Sequence, residues 1–198
     1  ILNDPSAITA GTKAAYIITR KDQFGNLTTI GDTIVYLYSD ASGFADKFYD
    51  SATDGNIITS IIISNGLSVA DFWYYDELAG SPTITASDNS TAPDGSFGIA
   101  DATDQVPVAV GYIAQFSLND ANSITAGTRA AYTVTRKDQF GNLTTSGNIA
   151  AYLYTTSNGT STVFYDAASG GNIVSSIQII AGNSSANFWY FDDTVGVW

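Results

Sequence analysis

Apolar and polar positions alternate along this chain in short runs, and glycine, asparagine, aspartate and proline punctuate the runs. Over 33–39, Val35 and Leu37 alternate with Tyr36 and Tyr38. Over 68–76, Phe72 and Tyr74 alternate with Trp73 and Tyr75. Successive side chains of a strand point to opposite faces, so a period of two marks half-buried β-structure. The pattern predicts strands over 1–8, 13–20, 33–39, 47–50, 56–64, 68–76, 81–87 and 106–110. Asp22-Gln23-Phe24-Gly25-Asn26 reads as a turn, and Asn65-Gly66 as a hairpin turn. Residues 88–105 carry Pro93, Gly95, Gly98 and several aspartates, which predicts a long loop. Many short strands separated by turn residues are the pattern of a β-sandwich.

The same pattern is written twice. Ile8-Thr9-Ala10-Gly11-Thr12 recurs at 124–128, the ten residues Arg20–Thr29 recur unchanged at 136–145, and Phe72-Trp73-Tyr74 recurs at 188–190. Every match keeps an offset of 116, and 45 of the 82 pairs formed by 1–82 and 117–198 are identical. A fixed period of this kind marks a duplicated structural unit. The sequence therefore predicts two domains, 1–111 with its long loop at 88–105, and 112–198. The second copy has nothing to match 83–116, so it is expected to lack its last strand. That would expose unpaired backbone groups along the strand at 184–192, which either further chain or another molecule could cover.

The runs AGTKAAYIITRKDQFGN at 10–26, AGTRAAYTVTRKDQFGN at 126–142, NGLSVADFWYYDELAGSPTITAS at 65–87 and AGNSSANFWYFDDTVG at 181–196 resemble the bacterial immunoglobulin-like (Big) repeats. Such repeats occur in invasin- and intimin-type adhesins, surface-layer proteins and other long cell-surface proteins. The resemblance implies an all-β fold of two tandem immunoglobulin-like sandwiches, exposed on the cell surface and usually strung in a row. The period of 116 is longer than is usual for that family, with the excess in 88–105.

Composition narrows the chemistry. Net charge is −12, with seven basic residues spread along the chain. Nucleic-acid binding needs clustered positive charge, so it is excluded as a function, and an anionic membrane surface is disfavoured on the same ground. No run approaches the roughly 18 apolar residues of a membrane span. The chain has neither cysteine nor histidine, which removes thiol catalysis, cysteine metal sites and the usual general base. What remains for catalysis is aspartate, Glu77, tyrosine, serine and lysine. The aspartates sit in turn contexts such as Asp22, Asp54 and Asp94, so an enzyme is not expected.

Three other chemistries suit the residues. Calcium takes oxygen ligands from loops, and Asp88, Asp94, Asp101 and Asp104 share one loop, while Asp4 and Asp120 lie near the repeat starts. These aspartates equally suit turns, and no cofactor is obligatory. An immunoglobulin sandwich pairs its strands C and F. Reading 33–39 as C and 68–76 as F puts Tyr36, Tyr38, Trp73 and Tyr75 on one outer face, repeated as Tyr152, Tyr154, Trp189 and Phe191. Such a face could stack on a glycan, meet a host or cell-surface protein, or pack across strands. A lysine isopeptide crosslink is disfavoured because Lys13 becomes Arg129. Asn-x-Ser/Thr sequons fall at Asn26, Asn89, Asn142, Asn158 and Asn183. The expected role is a non-catalytic extracellular spacer or surface-layer repeat whose partners are neighbouring repeats of the same or an identical chain. An adhesive module and a filament subunit completed by strand exchange are the alternatives.

Overall fold

The computed structural model describes residues 1–3, 7–42, 47–119 and 123–197. Every regular element among them is a strand. The chain divides into two compact units, Ile1–Gly111 and Tyr112–Trp198.

The first unit contains β1 (Ile8–Thr9), β2 (Lys13–Thr19), β3 (Thr33–Ser39), β4 (Lys47–Tyr49), β5 (Ile57–Ile58), β6 (Ser60–Ile63), β7 (Val69–Tyr75), β8 (Thr83–Ser87), β9 (Ala102–Gln105) and β10 (Val108–Ala109). One sheet has the order β2-β7-β4-β5 and the other β6-β3-β8-β9, while β1 and β10 form a short parallel pair. An isolated bridge from Leu2 to Ile18 adds the chain start beside β2. Alternation does what the sequence predicts. Tyr16, Ile18, Phe48, Phe72 and Tyr74 of the first sheet are buried, as are Val35, Leu37, Ile63, Ile84 and Ala86 of the second. Ser39 Oγ lies 3.2 Å from Tyr74 Oη, which ties the sheets across the core. Tyr16 stacks on Phe72 with centroids 5.4 Å apart, and Phe48 meets Phe72 and Tyr74 at 5.8 and 5.3 Å. Offset and edge-on contacts of this kind add about 0.5–1.5 kcal/mol each beyond simple burial.

Three expectations need correction. The run 56–64 is two strands, because the chain crosses at Thr59 from the β4 side to the β3 side. The segment 88–105 is not all loop, since its last four residues form β9 and pair with β8 from Thr83↔Gln105 to Ala86↔Ala102. The strands at 33–39 and 68–76 are not neighbours: β3 pairs with β6 and β8, and β7 with β2 and β4.

The second unit contains β11 (Gln115–Leu118), β12 (Arg129–Lys137), β13 (Ile149–Tyr152), β14 (Val163–Tyr165), β15 (Ile173–Val174), β16 (Ser176–Ile179) and β17 (Ser185–Phe191). Its sheets have the orders β11-β12-β17-β14-β15 and β13-β16. The registers repeat those of the first unit: Lys13↔Tyr75 becomes Arg129↔Phe191, and Thr33↔Ile63 becomes Ile149↔Ile179. Val134, Ala151, Ile179 and Phe188 form the core, with Tyr132, Leu153 and Phe164 packed against it.

Among the described residues of the second unit no strand corresponds to β1, β8, β9 or β10 of the first. The strand at 184–192 is β17, and it is paired on both sides, by β12 and β14. Among the described residues β13 pairs only with β16.

Candidate functional site

The acidic loop between β8 and β9 converges. One carboxylate oxygen from each of Asp88, Asp94 and Asp101 lies within 4.8 Å of the other two. Each aspartate is oriented by the loop itself. Asp88 Oδ2 accepts the Ile99 N–H at 3.0 Å. Asp94 Oδ2 accepts the Asn89 side-chain amide at 3.0 Å, and Asp101 Oδ2 accepts the Gly95 N–H at 2.7 Å. The Asp101 N–H donates to Gly95 O at 2.7 Å and closes the loop. Gly98 has φ +72°, and a Cβ there would lie 2.6 Å from Asp88 Oδ2, so only glycine fits. The other oxygens, Asp94 Oδ1 and Asp101 Oδ1, are sealed from solvent and have no hydrogen-bond partner.

Tyr38 fastens this loop to β3, with its hydroxyl donating to Asn89 O at 2.6 Å. Burial pushes that hydroxyl above its ordinary range, with smaller contributions from Tyr36, Asp101 and Asp94.

Asp104 stands apart from the other three. It belongs to β9, and its Oδ2 accepts the Tyr16 hydroxyl at 3.0 Å. It is a partner for a buried tyrosine, not a member of the carboxylate cluster. Asp4 and Asp120 lie outside the described residues.

The aromatic face divides, because β3 and β7 lie in different sheets. Tyr36 and Tyr38 are half-buried on the β3 sheet, and Trp73 and Tyr75 are half-buried on the β7 sheet. The β7 side is occupied by its own neighbours. Tyr75 donates to Glu77 Oε1 at 2.6 Å and meets Tyr49 edge-on, and the Lys13 ammonium sits 3.6 Å from the Tyr49 ring centroid. Burial, then the Glu77 hydrogen bond, pushes the Tyr75 hydroxyl up to about 12. In the second unit Arg129 covers the Tyr165 ring at 3.3 Å, and Trp189 and Phe191 are half-buried. Tyr152 and Tyr154 differ from the rest, being 67% and 86% exposed. They border an apolar groove of about 550 Å³ that also touches Val134, Leu153 and Phe188.

A buried arginine in each unit is a feature that the reading of motifs misses. Arg20 donates from Nε to Thr28 O at 2.9 Å, from Nη1 to Gly31 O and Thr33 Oγ1 at 2.8 Å, and from Nη2 to Leu67 O at 2.7 Å. Arg136 repeats this with Thr144 O, Gly147 O and Asn183 O at 2.8, 2.8 and 2.7 Å. Each guanidinium thus joins the end of one sheet to two turns of the other. Period two was the available signal, since Arg20 follows Tyr16 and Ile18 on the inward face, and Arg136 follows Tyr132 and Val134. Beside it, the Asp22 carboxylate accepts the Phe24 and Asn26 N–H groups, and Asp138 those of Phe140 and Asn142.

No family model matches the chain, and no curated protein matches it. Among solved structures it is similar to domains 5–6 of the S-layer protein SbsC, at 19% identity and TM-score 0.33, covering 97% of this chain and 82% of that one. Domains 4–9 of the surface-layer protein SbsC give 18% identity and TM-score 0.34, covering 98% of this chain and 27% of that one. The S-layer protein rSbsC(31–844) gives 18% and 0.33, covering 98% and 21%. Scores of this size leave the role of the chain to be argued from its own residues.

Proposed function

We propose that the chain is a non-catalytic, extracellular structural repeat of a cell-surface protein, in which each unit is an immunoglobulin-like sandwich. The observation that carries this reading is the repetition itself. Two successive units share the same seven-residue central pairing, the same core aromatics and the same buried arginine network. An array of self-contained sandwiches supplies reach and resistance to unfolding without needing a reactive centre. The strand order of the first unit supports the immunoglobulin-like assignment. With β2, β7 and β4 read as B, E and D, and β3, β8 and β9 as C, F and G, the sheets follow the ABED and CFG orders.

Pulling the whole chain by its ends in a force spectrometer tests the mechanical part. At roughly 3.5 Å per residue, two separate force peaks are expected, releasing about 390 Å and about 300 Å of contour less the folded lengths. Extension with no resistive peak would overturn it. Location is tested by an antibody against the chain, which should label intact, unpermeabilised cells; labelling only after lysis would refute a surface role.

A second reading is favoured by the apolar groove beside β13. In the first unit the matching surface is covered by β8, which pairs with β3 from Tyr36↔Ser87 to Ser39↔Ile84 and buries Ile84 and Ala86. We infer that the second unit takes up an extended strand of that kind along Tyr152–Thr155, whether from further chain or from another molecule. A synthetic peptide of residues 81–110 should bind the full chain saturably and protect the amides of 152–155 from hydrogen exchange. Unchanged exchange there at millimolar peptide would remove this reading.

A further inference from the structure

We propose that the groove of the second unit takes a two-stranded polypeptide segment: an apolar strand along β13, then a return strand whose carboxylate accepts the Tyr132 hydroxyl. This rests on the strand uptake inferred above and adds to it the second strand and its acidic residue.

The first unit shows what the Tyr132 ring is placed to meet. Tyr16 stacks on Phe72 with centroids 5.4 Å apart and planes 11° apart, and Tyr132 stacks on Phe188 at 5.5 Å and 14°. The two rings are therefore held alike by their own sheets, whatever lies opposite. In the first unit β9 lies opposite. Asp104, on the inward side of β9, accepts the Tyr16 hydroxyl at 3.0 Å, and Tyr16 is fully buried. In the second unit Tyr132 lines the groove and is half-buried, and no described residue of that unit stands where Asp104 does. A purely apolar cover would take water from the Tyr132 hydroxyl and return no partner, which costs affinity. A carboxylate restores the bond, and an ionised acceptor makes it the stronger kind.

The same registers fix the apolar strand. Opposite residues of an antiparallel pair share a face. The pairs Leu37↔Ala86 and Ser39↔Ile84, with Ala86 and Ile84 buried, therefore call for a small apolar residue opposite Leu153 and a larger one opposite Thr155. In the first unit β8 and β9 pair with each other from Thr83↔Gln105 to Ala86↔Ala102, so the apolar strand and the carboxylate arrive on one segment. The occupant is accordingly a single polypeptide of this pattern.

The probe is a synthetic peptide of residues 81–110, which carries both strands. It is titrated into the full chain by calorimetry, and amide exchange at 152–155 locates it. Asp104→Ala in the peptide and Tyr132→Phe in the chain should each weaken binding about tenfold. Together they should cost no more than about tenfold, because both remove the same bond. Ile84→Asp in the peptide should abolish binding, whereas Thr103→Ala, on the exposed side of β9, should leave it unchanged. A second arm appends residues 83–110 after Trp198, so that seating no longer depends on affinity between molecules. There the Asp104→Ala change in the appended segment should lower the midpoint of the second unit's transition by about 5 °C. Protection at 152–155 with undiminished affinity for the Asp104→Ala peptide would overturn the acidic strand and leave strand uptake standing. Losses that multiply in the double variant would do the same. No protection at 152–155 in either arm would overturn both.

Discussion

Replacing Arg136 with methionine isolates what its guanidinium does. The side chain is 1% exposed, and methionine keeps most of its apolar stem. What disappears is the set of donations to Thr144 O, Gly147 O and Asn183 O at 2.7–2.8 Å, together with longer ones to Ser146 O at 3.0 Å and Ile180 O at 3.5 Å. Two effects oppose each other. Burying a charged group costs several kcal/mol of desolvation, and replacing such a group by an apolar one of similar size is sometimes neutral or stabilising. Against that, bonds from a charged donor contribute about 1.5–3 kcal/mol each, and the orphaned carbonyls would stay buried. Three strong bonds outweigh the desolvation, and the expected loss is about 3–5 kcal/mol. Lysine restores the charge but not the planar fork, so Arg136→Lys should recover only part, leaving a loss of about 2 kcal/mol. Differential scanning calorimetry of the full chain supplies the assay. The Arg136 variants should lower the transition of the second unit and leave that of the first in place, and Arg20→Met should do the converse. An Arg136→Met protein within about 1 kcal/mol of the wild type would refute the reasoning and show that desolvation wins.

Acid should weaken both units through the same device. Hydrogen bonds from the side-chain amide and backbone of Asn56 hold the Asp50 carboxyl below 3.8, and Asn172 does the same for Asp166. Their folded values are depressed, so their stabilisation is full above the unfolded value and is lost as pH falls through the folded one. Urea midpoints measured from pH 5 down to 2 should therefore fall, and Asp50→Asn should fall less steeply. At high pH the sign reverses for Tyr75, whose raised value of about 12 gives stabilisation that is complete below 10 and lost as pH rises through 12; Glu77→Gln should move its tyrosinate absorbance to lower pH. Phe72→Ala, which removes the ring shared by Tyr16 and Phe48, should cost about 3–5 kcal/mol in chemical denaturation, and a loss under 1 kcal/mol would mean the core refills.

Strand positions were legible because one face of each sheet is buried. Val35 and Leu37, Phe72 and Tyr74 point inward as their alternation requires. Pairing partners were not legible, because period two says which face is apolar and nothing about which strand lies alongside. Reading 33–39 and 68–76 as sheet neighbours was enough to place four aromatics on one surface when they lie on two sheets. The carboxylate cluster was half legible. Proline, glycine and aspartate marked a loop, but sequence spacing could not separate Asp104, which the β9 pairing carries to Tyr16, from the three residues that meet. Arg20 and Arg136 were visible as a repeated word and unread as core, since arginine is seldom expected on an inward face.

The two units act as a control for one another. Tyr16 is fully buried and donates to Asp104, whereas its counterpart Tyr132 is only half-buried. Tyr36 and Tyr38 are half-buried beside β8, whereas Tyr152 and Tyr154 are exposed beside β13. In each pair the residues are identical, so intrinsic preference cannot account for the difference. It follows from the presence of β8 and β9 in one unit and of the groove in the other. Both units nevertheless keep the same central pairings and the same arginine network. The β2–β7 and β12–β17 pairings and their arginines are therefore the part that the two units share, while in the first unit β8, β9 and their loop add further cover and the acidic cluster.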